Sequence, residues 1–113
     1  MDRDTVILFT RNGMGDAPQE LQSILAGKFL GLLLESKQLP AKILFYTDGV
    51  KLVCKGSPII ESLQKMEKES VELIICKTCL DFFALTSEVQ VGIVGGMGDI
   101  IEAMQKAKKV ISL

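Results

Sequence analysis

The chain has 113 residues, one domain's worth, and 48% of them are hydrophobic against 24% charged, which excludes a disordered segment. Thirteen Lys and Arg against 14 Asp and Glu leave a net charge of −1, with no basic excess to neutralise the phosphates of a nucleic acid. The lack of any histidine removes the Ser-His-Asp triad, the Cys-His dyad and His-ligated zinc.

The start, Met-Asp-Arg-Asp-Thr, is mixed in charge and does not read as a signal peptide. The longest apolar stretch, Phe29 to Leu34, is far short of the ~20 residues that span a bilayer. A soluble, cytoplasmic protein with no membrane or nucleic-acid partner is expected. Val6-Ile7-Leu8-Phe9 is a continuous apolar run that ends in the turn cluster Arg11-Asn12-Gly13-Met14-Gly15, a strand buried on both faces. Asp16-Ala17-Pro18 should open a helix with Pro18 in its first turn. Leu21, Ile24, Leu25, Phe29, Leu32 and Leu33 recur at helical spacing, and Leu30 and Leu34 widen the stripe beyond what one sheet face can cover.

Lys42 to Tyr46 reads as a second strand, ended by Thr47-Asp48-Gly49; Val50 to Lys55 is either a loop with one apolar turn or a short strand. Ser57 and Pro58 fit a helix cap and first helical position, followed by Ile59, Leu63 and Met66 on the inner face. Val71 to Ile75 is a third strand running into Cys76-Lys77-Thr78-Cys79 and a short helix over Leu80 to Leu85. Val89 to Val94 is a fourth strand, Gly95-Gly96-Met97-Gly98 a break, Asp99 to Ala107 a helix, and Val110 to Leu113 a last strand.

Strands alternating with helices mean a mainly parallel sheet between helical layers. The expectation is one domain over residues 1–113: a flavodoxin-like three-layer α/β/α fold with five strands in the order 2-1-3-4-5. Ligands should sit at the carboxyl ends of the strands.

Cys76 and Cys79 form a C-x-x-C pair where the third strand meets a helix. A helix start carries unpaired N–H groups and partial positive charge, which favour thiolate over thiol, and Lys77 adds to that charge. Cys76 is read as the attacking cysteine and Cys79 as its resolving or tuning partner. One C-x-x-C supplies two of the four ligands a closed zinc site needs, so no metal is expected, and no cofactor either. The third cysteine, Cys54, follows the second strand and reads as a small buried residue. Gly13-Met14-Gly15-Asp16 and Gly96-Met97-Gly98-Asp99 repeat one pattern. In the order 2-1-3-4-5 both loops flank the cysteine loop. Asp16 and Asp99 would cap helices with Gln19 and Glu102 as capping-box partners. Gly13, Met14, Gly15, Gly96, Met97 and Gly98 could also cradle a small anion. Gly13-x-Gly15-x-x-Pro18 lacks the third glycine of a dinucleotide fingerprint.

The residues Cys76-Lys77-Thr78-Cys79-Leu80-Asp81-Phe82-Phe83 after Val71 to Ile75 resemble the C-terminal domain of YedF-type selenium-metabolism proteins, within the DsrE/DsrF-like superfamily. Asp48-Gly49-Val50-Lys51-Leu52 with Gly56-Ser57, and Val91 to Val94 before Met97 and Asp99, resemble the same family. The resemblance implies a flavodoxin-like fold, homo-oligomers (trimers or hexamers) and sulfur relay by a cysteine persulfide, carried by position on Cys76. It also implies a separate TusA-like donor or acceptor protein. Two other readings stay open: a non-catalytic oligomer that binds a small anion, and a thiol–disulfide redox protein.

Overall fold

The structure is a computed structural model that describes residues 3–113; Met1 and Asp2 of the mixed-charge start lie outside the described residues. Five parallel strands form one sheet: β1 (Thr5–Phe9), β2 (Lys42–Phe45), β3 (Glu72–Cys76), β4 (Ile93–Gly95) and β5 (Lys109–Ser112). The helices are α1 (Gln19–Ser36), α2 (Ile60–Lys68), α3 (Lys77–Phe82) and α4 (Met97–Lys106). The α/β class and the five-stranded sheet between helices are as read from the sequence, and the sheet expected to be mainly parallel is parallel throughout.

The strand order is different. It is β4-β3-β2-β1-β5, not 2-1-3-4-5. Interior strands must be apolar on both faces, and β2 carries Ile43, Leu44 and Phe45, all buried, which suits the interior and not the edge that 2-1-3-4-5 would give it. The true edges are the three-residue β4 and the lysine-flanked, largely exposed β5.

Parallel crossovers are right-handed, so α1, α2 and α3 fall on one side of the sheet and α4, which follows the single reversal of direction, on the other. Register defines the two faces. Ile7, Ile43 and Leu73 lie in one row, and Phe9, Phe45 and Ile75 in the next, every one fully buried. The Phe9 and Phe45 rings stack at 5.6 Å. On the opposite face Leu8, Leu44 and Ile74 form the matching row.

Local corrections follow from hydrogen bonding. The first helix starts at Gln19, with Pro18 just outside it, its carbonyl accepting the Leu21 and Gln22 N–H groups. Asp16 does not cap that helix; it pairs with Arg11 at 3.2 Å. Residues 50–53 are not strand: Thr47–Val53 is a 3-10 helix with Val50, Leu52 and Val53 buried, and Cys54 beyond it makes an isolated bridge to Val89. β4 is shorter than the expected Val89 to Val94: Val89 makes only an isolated bridge to Cys54, and Gly92, with φ +88°, breaks the extended chain before Ile93.

Candidate functional site

Parallel strands bring their carboxyl ends to one rim, so the turns after β1, β2, β3 and β4 meet there. Because β2 and β4 are the neighbours of β3, the turns beside the cysteines begin at Thr47 and Gly96. The Gly13–Asp16 loop follows β1, one strand further away, so the two Gly-Met-Gly-Asp loops do not flank the cysteines together. Their glycines also have local work. Gly13 has φ +149° and a Cβ there would fall 2.5 Å from Gln22 Cβ, so the loop presses on α1. The Met14 N–H donates to the Gln22 carbonyl. The Gly96 N–H donates to Asp99 Oδ2 at 2.9 Å, which makes Asp99 the residue that reaches back to the cap, while Glu102 pairs with Lys106 at 2.9 Å. Met97 and Gly98 open α4 and are exposed.

Cys76 is the last residue of β3 and is 1% exposed. Cys79, in the first turn of α3, is half-buried and more open of the two. Its Sγ accepts the backbone N–H of Thr47 at 3.1 Å. Sequence reading passed over Thr47, whose only signal was its place at the end of an interior strand. It has φ +50°, a left-handed conformation that a β-branched residue takes only under local constraint. The constraint is visible: Oγ1 donates to the Thr10 carbonyl from the β1 turn and also lies 2.7 Å from the Tyr46 carbonyl. Gly49 sits so close to β1 that a Cβ would lie 1.9 Å from the Phe9 carbonyl oxygen, which presses the turn against its neighbour.

Burial pushes the Cys79 thiol above its ordinary value, the Thr47 N–H pulls it back, and the adjoining Cys76 thiol raises it again through a hydrogen bond and its charge. Cys54 is 3% exposed, its Sγ is 3.3 Å from the Val50 carbonyl, and burial followed by the charge of Glu88 pushes its thiol up. Lys77 does not serve the thiols. It donates to Asp81 Oδ2 at 2.7 Å, and that bond, joined by one from Thr86, holds the Asp81 carboxyl below the usual range. All three cysteines are free thiols, and no cluster of three metal-ligating side chains exists among the described residues.

A parallel α/β sheet with a C-x-x-C pair at the end of an interior strand, one thiol buried and one held by a backbone N–H, defines a thiol-bearing domain of the three-layer class. The chain belongs to the DsrE/DsrF-like family, whose family model matches residues 5–113. Among solved structures it is similar in fold to the ychN protein of E. coli, with 16% identity, TM-score 0.70, and coverage of 96% of this chain and 98% of that one. A protein of unknown function, MTH1491 from Methanobacterium thermoautotrophicum, matches with 14% identity and TM-score 0.70 over 96% of this chain and 97% of that one. BT1422 from Bacteroides thetaiotaomicron, also of unknown function, matches with 15% identity and TM-score 0.69 over 97% and 95%. A comparison with curated proteins finds no match. No helix among the described residues is long and apolar enough to cross a membrane.

Proposed function

We propose that this chain is a persulfide carrier in a sulfur relay, the process with which its family is associated, and that Cys76 and Cys79 are the working pair. The observation that carries the reading is the Thr47 N–H held 3.1 Å from Cys79 Sγ, with the Cys76 thiol adjoining. A fixed donor aimed at sulfur offsets part of what burial costs the anionic forms, thiolate and persulfide, and does so without any histidine.

The burial of Cys76 supports a different order of reaction from the one the sequence suggested. A protein-bound donor meets Cys79 first. The Cys79 thiolate attacks the outer sulfur of a donor persulfide, the S–S bond of the donor breaks, the donor thiolate leaves, and Cys79 holds the sulfane sulfur. An acceptor thiolate then attacks that outer sulfur and returns the Cys79 thiolate. Both steps are redox-neutral. The burial of Cys76 supports a role for it from behind: attack of its thiolate on Cys79 Sγ would form a Cys76–Cys79 disulfide and expel hydrosulfide.

The finer likeness, to the C-terminal domain of YedF-type proteins, rests on the Cys76 to Phe83 segment, and a role in selenium handling goes with it. A separate TusA-like protein is the proposed donor or acceptor, in the cytoplasm. Self-association, as a trimer or hexamer, is supported by the exposed apolar side chains Leu32 (64%) and Phe82 (83%). The test is sulfur transfer from a protein persulfide to a small thiol. The Cys79→Ser variant should lose it; full transfer by that variant overturns the assignment.

A further inference from the structure

On the carboxyl rim a cleft of about 490 Å³ opens between the first turns of α1, the turn from Lys51 to Pro58, and the segment after α3. That volume is in the range of small-molecule pockets. Cys54, Pro58, Phe83 and Leu85 give it apolar walls, and Lys51 and Lys55 give it two ammonium groups. A second cleft of about 240 Å³ shares Asn12, Gln19 and Lys51 with the first and adds Arg11. Together the two linings hold three cations, and Asp48 is their one carboxylate. That local excess of positive charge stands in a chain whose net charge is −1.

The cations differ in how they are held. Lys51 is fixed from two sides: its Nζ is 2.8 Å from Asp48 and 4.6 Å from the centre of the Phe83 ring. Arg11 is turned to Asp16 at 3.2 Å. Lys55 makes no ion pair among the described residues, so its ammonium is free to meet a ligand. Glu88 stands outside both linings, although its charge acts on Cys54. Ser57 Oγ accepts the Ile59 N–H at 3.3 Å and keeps its own proton to donate.

We propose that this cleft is a binding site for a small organic anion, whose charged head sits on Lys55, Lys51 and the Ser57 hydroxyl and whose apolar body lies along Pro58 and Leu85. Neither the cleft nor its charge depends on the chemistry of Cys76 and Cys79, so the inference stands apart from the sulfur relay. A carboxylate and a phosphate share the required head-group chemistry.

The test follows backbone amide shifts of the reduced, isotope-labelled protein during titration with phenyl phosphate, phenylacetate, inorganic phosphate and benzyl alcohol. Saturable shifts should appear at Asn12, Lys55, Gly56 and Ser57. The better of the two aromatic anions should bind at least about fivefold more tightly than inorganic phosphate and than benzyl alcohol, and which one it is names the head group. Lys55→Gln, a change at an exposed side chain, should cost that advantage; Lys42→Gln and the Cys76→Ser/Cys79→Ser double variant should not. No saturable shift at those amides, equal affinity for benzyl alcohol or inorganic phosphate, or binding unchanged in Lys55→Gln overturns the proposal.

Discussion

The backbone N–H of Thr47 points at Sγ of Cys79 across 3.1 Å, and the two residues come from turns after adjacent strands, 32 positions apart in sequence. A backbone donor cannot be removed by changing a side chain, but its aim can be. Thr47→Val deletes the Oγ1 anchor to the Thr10 carbonyl while keeping the shape of the side chain. The expected result is a slower reaction of Cys79 with iodoacetamide near pH 7, by about threefold, the loss of roughly 0.6 kcal/mol of hydrogen bonding to a charged sulfur. Thr47→Ser, which restores the hydroxyl, should recover the rate.

The order of thiol reactivity follows from burial. Cys79 should label first with a small alkylating reagent, with Cys76 and Cys54, at 1% and 3% exposure, far behind until the protein unfolds. Burial and the neighbouring Cys76 thiol raise the Cys79 thiol more than the Thr47 N–H lowers it. A raised thiol pKa means that the thiolate fraction keeps growing beyond the ordinary titration range. The labelling rate at Cys79 should therefore keep climbing at a pH where that of a free, exposed thiol has levelled off. Timed alkylation with peptide mapping across pH reads both the order and the profile.

The turn that carries Thr47 depends on a close approach that only glycine permits. Gly49→Ala would place a Cβ 1.9 Å from the Phe9 carbonyl oxygen, a collision with backbone. The turn must move off β1 or the strands must part. The expected loss is several kcal/mol of folding stability, in the class of changes that exceed ~3 kcal/mol. Urea unfolding measures it, and a loss under 1 kcal/mol would show that the rim is more compliant than its geometry indicates.

Much of this was legible in the sequence. The apolar runs at Val6 to Phe9, Ile43 to Phe45 and Leu73 to Ile75 announced buried parallel strands, and the C-x-x-C position at a strand end was visible directly. Strand order was not, since every order of parallel strands with right-handed crossovers satisfies the same local pattern. One edge did carry a signal, in Lys108 and Lys109 beside the last strand; the brevity of β4 did not, since Val89 to Val94 reads as a longer strand. The Thr47 contact depends on that order, because it exists only if β2 adjoins β3. The glycine loops misled for a related reason: their spacing is the same, but one glycine bears on α1 and the other caps α4.

Self-association gives a further check. The expected mass in solution is a multiple of 12.3 kDa, and Leu32→Ser or Phe82→Ser should shift it toward the single chain if the changed side chain lies in the contact. Light scattering at micromolar concentration measures it, and a 12.3 kDa species for the unchanged protein would contradict self-association.

The most direct measurement is the intact mass of reduced protein after incubation with a persulfide donor, followed by mapping of the modified peptide. The account predicts a gain of one sulfur, about 32 Da, carried on Cys79, absent in Cys79→Ser and longer-lived in Cys76→Ser, where attack from behind is abolished. No gain in mass, or a gain that maps to Cys54, would contradict it.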